Sequence, residues 1–115
     1  MRSTECPLSA GGSLPPLCVD VYDRLAGASR NPADMQGVLK DFVEVLVQRV
    51  QPRVHDPILC GRIGDICATV DAHLWAWVEL TNAGADPTRT GAVLERAYNN
   101  ACRDLGELVG RVSAA

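Results

Sequence analysis

The chain has 115 residues, with a hydrophobic fraction of 47%, an aromatic fraction of 4% and a net charge of −3. This length suits one domain that buries roughly 65% of the surface of its unfolded chain. The slightly negative charge excludes a general electrostatic attraction to nucleic acid or to anionic membranes. No uncharged run reaches the about 18 residues that a membrane-spanning helix needs.

Residues 1–13 contain glycine, serine, proline and polar residues without periodicity, which predicts a flexible N-terminal tail. A short first helix is expected over residues 15–27, with Ser13 as its N-cap. Its apolar side chains recur on one side of the helix: Leu14, Leu17, Cys18, Val21 and Leu25.

Each of the other three predicted helices starts at an Asn or Asp that is followed directly by proline. The pairs are Asn31-Pro32, Asp56-Pro57 and Asp86-Pro87. The Asn or Asp side chain can accept hydrogen bonds from the free N–H groups of the first turn, and proline suits the first helical position because its missing N–H would have no partner there. These signals predict helices over residues 32–51, 57–82 and 87–112.

The last two helices are joined by residues 83–86 alone, so they must fold back on each other. The sequence therefore predicts an all-α, antiparallel four-helix bundle with short loops, in a single domain over residues 14–115. The first helix is about half as long as the last two. Part of the long hairpin should therefore need cover from the tail or from a second copy of the chain.

The side of the third helix opposite its apolar stripe has an unusual composition for a solvated surface. On a wheel of 100° per residue it holds small residues and one tryptophan: Gly61, Gly64, Ala68, Ala72, Trp75 and Ala76. Each glycine costs about 1 kcal/mol relative to alanine in a helix, and it allows close approach of another backbone. This pattern predicts an interface with another chain, most simply a homodimer. The alternative is a central helix that other helices of the same chain contact on two sides.

Two further functions stay open. A helical enzyme or small-ligand sensor would have a pocket between helices 2, 3 and 4, lined by Arg49, Cys67, Trp77 and Tyr98. Nucleic-acid binding would use the arginines of helix 4, which recur every seven residues as Arg89, Arg96 and Arg103, with Arg111 nearby. Interleaved acidic residues and the lack of a flanking aromatic favour a solvated, salt-bridged face instead.

The five cysteines form no CxxC pair and no metal-type spacing with histidine, so we expect reduced thiols in a cytoplasm, with no metal and no cofactor. No nucleophile lies in a glycine elbow, and no phosphate-binding glycine motif is present. The sequence therefore favours a small, non-catalytic regulatory or adaptor protein that acts through protein contacts. It does not identify the partner.

Overall fold

The computed structural model describes residues 14–110, and Pro32 is described by its backbone alone. The predicted tail 1–13 and residues 111–112 of the last predicted helix lie outside this range. Within it all regular elements are helical and the predicted antiparallel bundle is confirmed. The α-helices are α1 (Pro16–Ala26), α2 (Pro32–Val45), α3 (Pro57–Asn82) and α4 (Pro87–Leu108).

The three Asx-Pro helix starts are confirmed atom by atom. The Asn31 side chain accepts from the Ala33 N–H at 3.0 Å, and the Asp56 side chain accepts from the Ile58 N–H at 2.8 Å. At α4 the Asp86 carboxylate accepts from the Arg89 N–H at 3.0 Å. Each cap satisfies a backbone donor that the helix itself cannot pair.

The second predicted helix, 32–51, is not α-helical throughout. After α2 the chain forms a π-helical turn over Leu46–Val50 and a 3₁₀ turn over Gln51–Arg53. Pro52 has no N–H to donate, and its ring crowds the carbonyl four residues earlier, so the regular α-helical pattern cannot continue to this point.

The other two helices differ slightly from their predicted bounds, by one residue at each end of α1 and by four residues at the C-terminal end of α4. The last helix ends at Leu108, because Gly110 adopts a left-handed φ of 79° and its N–H donates to the Glu107 carbonyl. The first helix begins at Pro16 and ends at Ala26, with Pro15 and Gly27 as its flanking caps.

One apolar core joins the four helices, and α3 packs most extensively against α4. Apolar side chains of α2, α3 and α4 are buried in it, among them Met35, Leu39, Phe42, Ile63, Val70, Leu94 and Leu105. Burying such side chains is the main favourable term in the free energy of folding.

The hairpin of α3 and α4 extends beyond the other two helices. No residue of the segment 71–93, all of which the structure describes, is buried. The loop after α1 lies beside Tyr98, which is 11 residues, or about 17 Å, from the start of α4. The length mismatch predicted from the sequence therefore leaves one end of the hairpin without cover from α1 and α2.

Candidate interaction surface on α3

The outer face of α3 points away from the core. Of its residues, Gly61, Ala68 and Ala72 are exposed, and Trp75 is 68% exposed. No atom outside the helix backbone lies within 4 Å of the position where a Cβ of Gly61 would be. Within the described chain, no other helix therefore covers the middle of this face, which is what an interface with another chain requires.

One edge of the face is partly covered from within the chain. Gly64 is half-buried, and a Cβ there would lie 3.4 Å from the Nε2 atom of Gln51. The same Gln51 amide donates to the Cys60 carbonyl at 3.2 Å, which holds the 3₁₀ turn against α3. Gly64 thus fits the alternative of a contact inside the chain. Ala76 is also half-buried.

Three further residues belong to this face but were not predicted from the sequence. Ile58 is 72% exposed, the largest exposure among the exposed large hydrophobic residues of the described chain. Asp65 and Glu79 are exposed and lie within about 40° of the same line on the helical wheel. The face is therefore apolar at both ends and carries two carboxylates, rather than lacking charge. The signal for Ile58 was available, since it lies three residues before Gly61.

The four residues of the predicted ligand pocket do not line a common groove. Tyr98 is fully buried, Cys67 is 5% exposed and Trp77 is half-buried against the core. Arg49 is exposed on the π-helical turn and lines a groove of about 180 Å³ with polar residues of α1 and α2.

Tyr98 has a structural partner. Its hydroxyl donates to the Leu25 carbonyl at the C-terminal end of α1, and the Arg30 guanidinium lies 4.9 Å from the centroid of its ring. Arg30 also donates to the Asn99 side chain at 3.4 Å. These contacts attach the loop after α1 to the middle of α4.

Buried thiols in the core are held in the protonated form. Burial raises the pKa of Cys18 to about 11, and burial with the nearby Asp71 carboxylate raises the pKa of Cys67 to about 11. Burial also raises the pKa of Cys102, against the opposing effects of Tyr98 and Arg30. Because the thiolate is the reactive form of cysteine, these side chains act as small apolar groups near neutral pH.

Two other grooves lie on the surface. One, of about 190 Å³ between α1 and α2, has an apolar lining with Arg24 and Asp41 among its residues. The other, also about 190 Å³, lies between α3 and α4 and is lined largely by charged residues. Both are smaller than the roughly 300–1,000 Å³ of typical ligand pockets. Among the described residues, no three His, Cys, Asp or Glu side chains are grouped as a metal site.

The predicted arginine row of α4 is on the surface. Arg89, Arg96 and Arg103 are all exposed, while Arg111 lies outside the described residues. The Arg103 Nε atom is 3.0 Å from the Asp104 carboxylate, so part of the row's charge is offset locally.

Across residues 14–110 no helix combines the length and the apolar character that a bilayer span needs. Comparison with known proteins found no matching family model, no matching curated protein and no matching solved structure.

Proposed function

We propose that this chain is a small, non-catalytic regulatory or adaptor protein of the cytoplasm, which acts through protein contacts made by the outer face of α3 and works as a homodimer. One observation carries the proposal. Two of the three exposed large hydrophobic residues of the described chain, Ile58 and Trp75, lie on this one face.

The composition between these two side chains supports an interface. Gly61, Ala68 and Ala72 leave the helix backbone accessible, and a glycine in a helix costs about 1 kcal/mol relative to alanine. Single apolar residues are common on protein surfaces, but tryptophan is enriched among the residues that dominate binding energy. Full burial of a side chain such as Ile58 contributes about 1.5–3 kcal/mol. A partner that packs on this face would bury an apolar side chain at each end, and each burial would contribute to the free energy of binding.

Two other observations weigh against a ligand-binding function and a nucleic-acid-binding function. A ligand pocket would need a concave apolar site with converging polar groups, whereas Arg49 and Tyr98 lie in different environments. A nucleic-acid site would need a row of free cations, whereas Arg103 contacts Asp104.

Affinity capture from the native host, using the full chain and its Trp75→Arg variant, tests the proposed function. Val47→Arg is the matched control, because Val47 is also exposed, at 44%, but lies on the π-helical turn. We expect Trp75→Arg to lose the captured proteins or the self-association of the chain, with Val47→Arg unchanged. If Trp75→Arg leaves both unchanged, α3 is not the interaction surface.

A further inference from the structure

Seven of the exposed residues of α3 follow a seven-residue repeat. Their spacing alternates between three and four residues over seven positions, all of them exposed: Ile58, Gly61, Asp65, Ala68, Ala72, Trp75 and Glu79. This is the spacing of the contact line between two packed helices in a coiled coil. We call this set the α3 seam. It spans the 22 residues from Ile58 to Glu79, a rise of about 32 Å along the helix axis.

We infer that the α3 seam is covered by the α3 seam of a second copy, in antiparallel orientation, with Trp75 packed against the partner subunit's Ile58. The inference rests on the proposed function and names the partner and its register. In this register Gly61 lies opposite the partner subunit's Ala72, and Asp65 lies opposite the partner subunit's Ala68. The two-fold axis passes between residues 65 and 68.

The distribution of charge favours the antiparallel orientation. A parallel pair would place Asp65 directly opposite Asp65 of the partner subunit and would do the same with the two Glu79 side chains. Like charges at facing positions destabilise a helix pair. In the antiparallel pair the two Asp65 residues are offset by three residues along the axis, and each Glu79 lies beyond the apolar contacts.

Shape also fits at the two ends. Side chains on a helix lean towards its N-terminus, so Trp75 leans towards the partner subunit's Gly61. The space beside Gly61 is open, with no atom within 4 Å of its missing Cβ. The indole ring can therefore lie over Gly61 and Ile58 of the partner subunit together. Both ends of the interface receive this contact because the pair is symmetric.

The size of the seam sets the expected strength. An interface one helix wide and about 32 Å long falls at the low end of specific interfaces, below about 1,200 Å² of total buried surface. We therefore expect a weak dimer whose population rises with protein concentration, from a mass of 12.3 kDa towards twice that value.

A pair of complementary variants tests the register. The full-length Trp75→Glu and Ile58→Lys variants are studied alone and as an equal mixture by sedimentation equilibrium, up to near-millimolar concentration. Each variant alone should dimerise at least ten-fold more weakly than the wild type, because both of its end contacts are altered. In the mixed dimer one end keeps the wild-type Trp75 and Ile58, and the other end pairs Glu with Lys. The mixture should therefore recover dimer mass.

Each other outcome overturns a distinct claim. If the mixture stays monomeric while the wild type dimerises and Trp75→Glu does not, α3 is the interface but the antiparallel register is wrong. If the wild type is monomeric throughout, the homodimer is excluded, and the capture experiment then decides whether the outer face of α3 binds another protein. If Trp75→Glu dimerises as well as the wild type, both proposals are wrong. Circular dichroism establishes that each variant is folded.

Discussion

The Tyr98 hydroxyl joins the end of α1 to the middle of α4, and Tyr98→Phe removes this hydrogen bond alone. The side chain is fully buried and donates to the Leu25 carbonyl. A hydrogen bond of this kind contributes about 1 kcal/mol to the free energy of unfolding. The carbonyl also accepts from the Ala28 N–H at 3.1 Å, so the variant does not leave it unpaired. Arg30 can still stack on the phenylalanine ring. We therefore expect a loss of about 1 kcal/mol rather than the larger cost of an orphaned buried group.

Urea denaturation measures this loss, and a melting temperature about 4 °C lower should accompany it. Tyr22→Phe is the matched control, because Tyr22 is half-buried on α1 and no hydrogen bond to its hydroxyl is found among the described residues. If the two variants change the free energy of unfolding equally, within about 0.3 kcal/mol, the Tyr98 bond does not stabilise the fold and the reasoning is refuted.

Two further predictions concern the core thiols and the glycines. Because the folded pKa values of Cys18 and Cys67 are about 11 and their ordinary value is 9.0, the unfolded chain releases these protons first as the pH rises. Each thiol should lower the free energy of unfolding by about 1 kcal/mol between pH 8 and pH 10, as urea denaturation under reducing conditions would show. Cys18→Ala should reduce the pH-dependent loss by that amount, and an unchanged pH dependence would contradict the assigned burial effect. Gly61→Ala and Gly37→Ala both fill open space in a helix, so each should raise the free energy of unfolding by about 0.5–1 kcal/mol. Only Gly61→Ala should weaken self-association in sedimentation, and equal effects of the two variants on it would exclude Gly61 from the interface.

The sequence predicted the helices best where side chains act on the nearby backbone. α3 has the predicted bounds, because Asp56 and Pro57 define its start locally and nothing interrupts its helical period. The end of α2 was missed, since the π-helical turn before Pro52 depends on how the chain relieves a steric clash. The end of α4 was missed although Gly110 provided a signal for it.

The candidate surface was predictable in part. The helical wheel placed Trp75 on the outer face of α3, and its side chain is exposed there. The position of Ile58 on this face follows from its spacing to Gly61, but its 72% exposure depends on where α1 and α2 lie in the folded chain. The contact between Gly64 and Gln51 was also beyond the sequence, since it depends on the 3₁₀ turn folding back on α3.

The mass of the wild-type chain in solution, compared with that of Trp75→Arg, tests the central claim most directly. Sedimentation equilibrium across a wide concentration range should show the wild type rising from 12.3 kDa towards twice that mass, with Trp75→Arg remaining at the monomer mass. A wild type that stays monomeric, or a Trp75→Arg variant that associates as the wild type does, would contradict a homodimer built on the outer face of α3.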